Sequence, residues 1–273
     1  MCRSLSLIGH LACGSTSSPT IEVTILNLIA RKMNIFKYLN TLAAALTLSV
    51  GVAYAHGDCC CGSGCAEGSK PKYVALSFDD GPSLKCTPMM LDVLEGNGVK
   101  ASFFLIGQNI TEETAPIIRR MVRMGCDVEN HTYTHPNLTK IPDVQILEEV
   151  AKTDSLIEVY AGTKPRYLRP PYTAHNAHVA EVVGGKVFIA GLSCRDWRAD
   201  MPVEDRVTQT LDRVEDGRIL LFHDTNERTV EAMKTIIPRL KDLGYEIVTI
   251  PELFRLSGQA PADHSPKMYG RAY

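Results

Sequence analysis

Two adjacent acidic residues could act together at a metal centre, one as a ligand and the other as a proton acceptor. Asp79 and Asp80 lie in the run at residues 77–82, where Gly and Pro close a predicted strand in a sharp turn. If one carboxylate binds a metal, the other can accept a proton from a nearby water. The same residue types are common in turns that do no chemistry, so the pair alone leaves a structural role equally open.

A pair of histidines could supply the remaining ligands of such a centre. His131 and His135 stand at positions i and i+4. In a helical turn this spacing places two imidazoles on one face at the separation of metal ligands. Two histidines and one carboxylate leave positions for water and substrate, as in an open catalytic zinc or similar divalent site. Taken singly, the spacing is also typical of two exposed histidines.

Five short motifs, in order along the chain, carry a family resemblance. They are Ser-Phe-Asp-Asp-Gly-Pro at 77–82, His-Thr-Tyr-Thr-His at 131–135, Arg-Pro-Pro-Tyr at 169–172, Ser-Cys-Arg-Asp-Trp at 193–197 and Leu-Phe-His at 221–223. Over residues 72–257 the chain resembles the polysaccharide deacetylases with a NodB-homology domain, carbohydrate esterase family four. Ser193 stands where the family's fourth motif begins with Asp, and Thr173 where Gly is common. The rim that faces substrate is therefore expected to differ, while the catalytic set is intact.

The resemblance implies acid–base roles for four of these residues. Asp79 is expected to be the general base and His223 the general acid that protonates the departing amine. Arg169 is similar to the family residue that orients the base, and Asp196 to the one that orients and tunes the catalytic histidine. The alternative for His223 is an ordinary core histidine in a strand.

The resemblance also implies a metal site and a substrate pocket. The expected ligands of a divalent metal, zinc before cobalt or nickel, are Asp80, His131 and His135. The backbone N–H of Tyr172 resembles the family's oxyanion donor, because the prolines before it have no N–H. The residues expected to contact substrate are Trp197, Leu221 and Pro171. A purely structural role for Trp197 and Leu221 stays open.

Short apolar runs that alternate with longer helical patterns predict the elements that position these residues. Strands are expected at residues 73–78, 101–106, 127–129, 167–169, 187–192, 218–222 and 245–250. Helices are expected at residues 87–95, 112–124, 143–160, 175–183, 203–213 and 229–243. Strands separated by helices imply a parallel sheet, and the polar motif residues follow the carboxyl ends of successive strands. Because those ends share one rim in an α/β barrel, we expect an irregular (β/α) barrel over a doubly wound sheet.

The first part of the chain carries an export pattern. Arg31 and Lys32 precede Met33, residues 39–52 are almost wholly apolar, and residues 53–55 read Ala-Tyr-Ala. This order predicts a signal peptide at residues 33–55 and a periplasmic or extracellular protein, with residues 1–32 a leader upstream of the true start. A retained membrane anchor is the alternative, although the apolar stretch is short for a bilayer span.

Composition limits the number of domains and the partners. The chain has 273 residues, of which 45% are hydrophobic and 22% charged, with a net charge of −2. These values predict one globular catalytic domain and give no basic surplus for binding nucleic acid. Residues 258–273 are expected to form a loosely ordered tail. His175 and His178 are expected to be surface helix residues, with sugar contacts as the alternative.

Seven of the nine cysteines follow the predicted signal peptide, four of them in a cluster and three as singles. Residues 56–71 are expected to be a flexible linker, with a soft-metal site or an intermolecular bridge as alternatives, and a copper chelate at His56 as a remote one. The cluster comprises Cys59, Cys60, Cys61 and Cys65. Inside the folded region, Cys86, Cys126 and Cys194 are expected to be buried singles.

The expected reaction is hydrolysis of N-acetyl groups on N-acetylglucosamine units of an acetylated glycan, peptidoglycan or chitin-like, with release of acetate. Removal of O-acetyl groups from xylan is the rival, because the same chemistry serves esters and amides. A non-catalytic module that binds glycan or metal is a third possibility. The presence of both Asp79 and His223 argues against it, because a binder needs neither a base nor an acid.

Overall fold

The computed structural model describes residues 70–262 and 265–273. The predicted signal peptide and the cysteine-rich linker up to residue 69 lie outside the described residues. Within the described part, none of the helices combines the length and the apolar character that a bilayer crossing requires.

The strands of one mostly parallel sheet form the centre of the described part. They are β1 (Lys72–Asp79), β2 (Ser102–Leu105), β3 (Asp127–Asn130), β4 (Tyr167–Leu168), β5 (Val187–Ile189), β6 (Leu192–Ser193), β7 (Arg218–His223), β8 (Tyr245–Val248) and β9 (Met268–Tyr269). Their spatial order is β6-β7-β1-β2-β3-β4-β5-β9, and β8 pairs with β1. All of these pairings are parallel.

Helices connect most of the strands, as parallel pairing requires. They are α1 (Cys86–Gly96), α2 (Ala115–Arg123), α3 (Asp143–Ala161), α4 (Ala177–Val183), α5 (Val203–Leu211), α6 (Glu227–Asp242) and α7 (Ile250–Ser257). Local sequence sets several of their ends. Helix α3 is capped at its C-terminus by Gly162, whose φ of 71° suits a residue without Cβ, and α7 begins with a capping box between Thr249 and Glu252.

Side chains of β1 alternate between two apolar layers. Val74, Leu76 and Phe78 belong to the core between sheet and helices, whereas Ala75 belongs to the cluster inside the curled sheet, with Phe104 and Ile219. Because successive residues of a strand point to opposite faces, the interior row of β1 ends in Asp79. The sequence prediction of an irregular parallel (β/α) barrel is confirmed.

The C-terminal segment joins two strands of the barrel. Ala190 N donates to Tyr269 O after β5, while Ile219 N of β7 donates to Gly270 O and Ala272 N donates to Gly217 O. Ala272 is buried in the interior cluster. The prediction of a loosely ordered tail is therefore wrong for residues 265–273, because their backbone satisfies hydrogen bonds of β5 and of the start of β7.

Two further element predictions are corrected. The predicted strand at 245–250 ends at Val248, and α7, which the sequence reading missed, begins at Ile250. The predicted strand at 187–192 breaks into β5 and β6 around Gly191. A Cβ at Gly191 would lie 2.6 Å from Leu221 Cβ, so the close approach to β7 requires glycine.

Candidate active site

Strand register brings an acid and a histidine side by side. Asp79, the last residue of β1, is the Cα partner of His223, the last residue of β7. Both occupy the inward row of their strands, at the carboxyl ends that form one rim. Residues 144 positions apart are thereby held next to each other by backbone pairing alone.

A buried arginine holds the Asp79 carboxylate. Arg169 Nη1 donates to Asp79 Oδ1 over 2.5 Å, and Arg169 Nη2 donates to Ala190 O over 3.1 Å. Arg169 is 0% exposed and Asp79 is 3% exposed. Burial lowers the pKa of Arg169, and the adjacent Asp79 charge opposes that shift. This charge-assisted bond fixes the direction of the carboxylate.

A second acid holds His223. Asp196, which is 0% exposed, accepts from His223 Nδ1 over 2.9 Å, and its other oxygen accepts from the His223 backbone N–H over 2.7 Å. Burial lowers the pKa of His223, but the Asp196 hydrogen bond and charge outweigh it, with help from Asp79 and Asp80, and raise the pKa to about 9. The His223 ring is therefore a charged imidazolium, protonated on both nitrogens, at neutral pH.

Three side chains near Asp79 converge as a candidate metal centre. One potential ligand atom each from Asp80, His131 and His135 lies within 4.8 Å of the others. Asp80 Oδ1 is 3.4 Å from His131 Nε2 and 3.5 Å from His135 Nε2. Burial raises the pKa of Asp80, but its attraction to the surrounding histidines outweighs this and holds the pKa below its ordinary value.

The donor set fits a divalent cation. His131 Nδ1 lies 2.6 Å from Arg169 O, and since a carbonyl only accepts, Nδ1 carries the proton and Nε2 presents a lone pair. Asp80 Oδ1 is buried, and among the residues that the structure describes it has no hydrogen-bond partner. Two acceptors that face each other without a proton between them are unfavourable, and a bound cation would satisfy both.

The segment that carries the two histidines is not helical, so the predicted helical turn at 131–135 is wrong. After β3 the backbone is irregular, and Thr132 and His135 have positive φ of 68° and 61°. The imidazole centroids are nevertheless 4.9 Å apart. A turn through two left-handed residues brings the rings together.

Backbone strain concentrates in and beside the motifs. In the described part, the residues other than glycine with positive φ are Asp80, Thr132, His135, Tyr172, Thr173 and Arg195. Such conformations cost of order 1 kcal/mol or more each and persist where surrounding contacts enforce them. All six lie in or beside the motif loops, which indicates that these unfavourable backbone conformations are needed to direct the motif side chains at this rim.

A cavity of about 470 Å³ opens over these residues. Asp79, Asp80 and His223 lie on one part of its wall, and its apolar wall contains Leu221 and Trp197. A second cavity of about 580 Å³ shares Asp80, Trp197 and His223 with the first. Trp197 is 64% exposed, so the core role left open for this tryptophan is wrong.

The turn after β4 places a backbone donor at the same cavity. Tyr172 has φ 59° and ψ 13° and lines the cavity. Thr173 N and Ala174 N donate to Pro170 O and Pro171 O, whereas no acceptor for the Tyr172 N–H occurs among residues 70–262 and 265–273. Pro170 lines the cavity, whereas Pro171, which was predicted to contact substrate, is buried and is not among the cavity-lining residues.

Both departures from the family motifs lie on the cavity wall. Ser193 Oγ accepts from Arg195 N over 2.9 Å, so Ser supplies the turn acceptor that an Asp carboxylate could supply, without the charge. Thr173 has φ 51°, and its hydroxyl donates to Tyr172 O over 2.7 Å. Each substitution keeps the turn and changes the polar surface of the rim.

The remaining predicted histidines and cysteines lie away from this chemistry, with one exception. His175, predicted as a surface helix residue, instead precedes α4 and is half-buried, with its ring centroid 4.2 Å from that of Phe188 and its Nε2 donating to Pro266 O. His178 is exposed in α4 and pairs with Asp143. The cysteines predicted to be buried singles are buried and free, which confirms that prediction; they are Cys86, Cys126 and Cys194. Cys86 lines the second cavity.

Three polar residues that support the rim were missed. Asp224 is 0% exposed beneath Gly81, where an added Cβ would lie 2.7 Å from Asp224 Oδ1. Burial raises the pKa of Asp224 to about 7. Asn130 and Glu149 bond the backbone of the histidine loop. An acidic residue directly after the apolar run of β7 is a usable signal in the sequence, whereas nothing local marks Glu149.

Comparison with known proteins identifies the kind of domain. Residues 66–185 match the family model of polysaccharide deacetylases. A bifunctional xylanase/deacetylase of Pseudobutyrivibrio xylanivorans is 42% identical over 192 residues, which are 70% of this chain and 32% of that protein. A peptidoglycan-N-acetylglucosamine deacetylase of Listeria monocytogenes is 35% identical over 67% of this chain and 39% of its own length. The chain thus spans about a third of the length of the first curated relatives it matches.

Other relatives are matched over nearly their whole length. A chitooligosaccharide deacetylase of Bradyrhizobium is 34% identical over 206 residues, which are 68% of this chain and 92% of that protein. Among solved structures, a family 4 acetyl xylan esterase of Clostridium thermocellum, in complex with a cobalt ion, has a TM-score of 0.71 and 40% identity, covering 73% of this chain and 98% of the esterase.

Proposed function

The chain belongs to the polysaccharide deacetylase family, carbohydrate esterase family four, and on that premise we propose that it hydrolyses N-acetyl groups of N-acetylglucosamine units in peptidoglycan or a chitin-like glycan. The products are acetate and a glucosamine unit. The enzyme is then a hydrolase of linear amide bonds other than peptide bonds. The observation that carries the proposal is the pairing of Asp79 with His223, each bound to a different charged partner, Arg169 or Asp196.

Asp79 acts as the general base in this proposal. Its Oδ1 is occupied by Arg169, and its Oδ2 lies 3.9 Å from His131 Nε2, beside the metal ligands. Asp79 takes a proton from the attacking water while the water oxygen bonds to the acetyl carbonyl carbon. The ion pair with Arg169 holds the carboxylate in place during this transfer.

His223 acts as the general acid. With a pKa raised to about 9 chiefly by Asp196, which opposes the effect of burial, it enters the reaction protonated. It donates its Nε2 proton to the amide nitrogen as the carbon–nitrogen bond breaks, so the departing amine leaves neutral. After this transfer Asp196 still accepts from Nδ1 and keeps the neutral imidazole in the same orientation.

Asp80, His131 and His135 would hold the divalent metal, with zinc proposed as the native ion. When bound, such an ion supplies Lewis acidity, which polarises an acyl carbonyl and makes a neighbouring water a stronger acid. The Tyr172 N–H, unpaired within its turn, donates to the carbonyl oxygen as that oxygen gains negative charge. Leu221, Pro170 and Trp197 enclose the acetyl methyl group in the cavity of about 470 Å³.

Acetate release from chitooligosaccharides and from peptidoglycan tests the proposal. The purified protein is stripped of metal, restored with zinc, and compared with Asp79→Asn and His223→Gln. We expect zinc to restore activity in the wild type, and both variants to lose at least about 100-fold in turnover, in line with the usual contribution of acid–base groups. His178→Gln is the matched control, because that imidazole is exposed and pairs with Asp143 away from the cavity.

Two outcomes would contradict the proposal in different ways. Zinc binding without acetate release from any acetylated glycan would favour the non-catalytic module. Undiminished turnover in Asp79→Asn would refute the assignment of the base while leaving the deacetylase reaction in place.

Removal of O-acetyl groups from xylan is the second candidate. It is supported by 42% identity to the bifunctional xylanase/deacetylase and 40% identity to the acetyl xylan esterase. The leaving group of an acetyl ester is the sugar alkoxide, and a protonated His223 can donate its proton to that oxygen as it can to an amide nitrogen. Acetate release from acetylated xylan, without release from chitooligosaccharides or peptidoglycan, would establish this candidate over the amidase.

We also propose that the protein is exported, because glycans of this class lie outside the cytoplasm. The support is the basic, apolar and Ala-Tyr-Ala order at residues 31–55. Amino-terminal sequencing of the secreted protein should begin at His56. Full-length protein retained in a membrane fraction would instead indicate an uncleaved anchor.

A further inference from the structure

The loop that carries two of the proposed metal ligands needs outside support. His131 and His135 flank a non-helical segment in which Thr132 and His135 adopt left-handed backbone conformations. Left-handed conformations of residues with a Cβ are unfavourable by about 1–2 kcal/mol each. Such a loop holds one conformation only if other groups bond its backbone more strongly in that conformation than in its alternatives.

One carboxylate in the adjacent helix supplies three hydrogen bonds to this loop. Glu149, in α3, accepts from Tyr133 N and Thr134 N through Oε2 and from Thr134 Oγ1 through Oε1, each over 2.7 Å. Two successive backbone N–H groups that converge on one oxygen form a small anion-binding concavity. Hydrogen bonds to a charged acceptor are about twice as strong as neutral ones, so Glu149 acts on this loop through its charge.

The other contacts of the loop leave this role to Glu149. Asn130 Oδ1 accepts from Thr132 N over 2.7 Å, and the loop carbonyls of Thr132 and Tyr133 accept from Gly107 N and Gln108 N. Asn130 lies in β3 itself, before the loop begins. Glu149 is therefore the group that bonds the two N–H donors midway between the histidines.

We propose that Glu149 is a positioning residue for metal binding: it fixes the turn between His131 and His135, so that both imidazoles face Asp80 before the metal arrives. It touches neither metal nor substrate. The inference rests on the metal centre of the proposed function. Without Glu149 the loop relaxes, and part of the binding free energy of the metal is used to restore the turn.

The test measures zinc affinity of the full chain by competition with a chromophoric chelator, on wild type, Glu149→Ala, Glu149→Gln and Glu148→Ala. Glu148 is the neighbouring acid in α3 with an exposed side chain, so Glu148→Ala removes the same charge from the same helix without removing the loop bonds. We expect the dissociation constant to rise about tenfold or more in Glu149→Ala, the scale of lost outer-sphere support. Glu149→Gln, which keeps an oxygen for the two N–H groups, should recover part of this loss.

Cobalt provides a readout that a general loss of stability would not change. In the cobalt-loaded protein the visible absorption bands report ligand geometry, and we expect them to shift or broaden in Glu149→Ala and to resemble wild type in Glu148→Ala. Circular dichroism and thermal unfolding of the metal-free proteins establish that each variant is folded. We expect the melting temperatures of Glu149→Gln and wild type to agree within a few degrees.

The outcomes separate this inference from the proposed function. Equal zinc affinity and equal cobalt spectra in Glu149→Ala and wild type overturn the role of Glu149, whether or not the wild type releases acetate. Weakened zinc binding in Glu149→Ala supports it even if no glycan is deacetylated. A wild type that binds neither zinc nor cobalt overturns both the inference and the metal centre. If Glu148→Ala weakens zinc binding as much as Glu149→Ala does, the charge of the helix alone is responsible and the inference is overturned.

Discussion

Replacement of Asp196 by Asn should uncouple His223 from its charge partner. Asp196 is fully buried and accepts from both the Nδ1 and the backbone N–H of His223. Asparagine has nearly the same shape and retains one acceptor oxygen, so the substitution removes the charge and keeps the packing. The His223 pKa, raised to about 9 from an ordinary 6.5, should then fall.

The size of the shift follows from the opposing effects on His223. A rise from 6.5 to about 9 is about 2.5 pKa units, or roughly 3.4 kcal/mol in favour of the imidazolium at 1.36 kcal/mol per unit. Burial lowers the pKa, and Asp196 is the largest of the groups that raise it. We expect a drop of about 2 units, which at pH 8 changes the protonated fraction from about 90% to about 10%.

The assay is a proton NMR titration of the His223 ring in metal-free protein, because a bound cation would add its own charge next to the imidazole. His223→Gln identifies the signal. Asp200→Asn is the control, since Asp200 lies in the same loop with an exposed side chain paired to Arg198. In the zinc-loaded enzyme the alkaline limb of kcat/KM should move to lower pH in Asp196→Asn. A His223 pKa within about half a unit of wild type in that variant would refute the electrostatic reasoning.

Three other substitutions address the supports of the site. Arg169→Met leaves the buried Asp79 without its ion-pair partner, and the free energy of unfolding should fall by about 3–5 kcal/mol in urea titrations. Asp224→Asn should reduce the pH dependence of the free energy of unfolding. Burial raises the Asp224 pKa from 3.8 to about 7, so between these pH values the folded state holds a proton that the unfolded state has released. The contribution of Asp224 to stability therefore falls by about 4 kcal/mol as pH rises from 4 to 8. Chemical unfolding of metal-free protein at both pH values should show a smaller difference in the variant than in wild type. Gly191→Ala places a Cβ 2.6 Å from Leu221 Cβ, and KM for the acetylated substrate should rise by more than threefold as the apolar wall moves.

Matched variants show whether these effects arise from the named contacts. Arg123→Met and Asp242→Asn alter exposed residues, and Gly96→Ala meets nothing within 4 Å, so each should stay within about 0.5 kcal/mol of wild type in stability. An Arg169→Met protein as stable as Arg123→Met would contradict the ion-pair argument. An unchanged pH difference in Asp224→Asn would show that another group holds the proton, and an unchanged KM in Gly191→Ala would separate Leu221 from substrate binding.

The sequence alone predicted the class of fold and the residues that meet at the candidate site. Alternation of apolar strands with helices predicted the parallel barrel, because hydrophobic period and turn residues act over a few neighbouring positions. The motif residues at strand ends predicted one rim, and Asp79, Asp80, His131, His135 and His223 do meet there. Strand direction and period are local properties, so this much of the site could be predicted without coordinates.

Only the tertiary structure decided how those residues are held. The histidine loop was predicted as a helical turn, yet Glu149 and Asn130 bond it in a left-handed path, and neither contact is visible in residues 131–135 themselves. The C-terminal segment was predicted to be loosely ordered, yet hydrogen bonds to Ala190 and Ile219 hold it in the barrel. In both cases the deciding hydrogen bonds join parts of the chain that are distant in sequence. Local backbone propensity costs only about 1 kcal/mol per residue to override, so it is outweighed by hydrogen bonds that buried backbone groups must make.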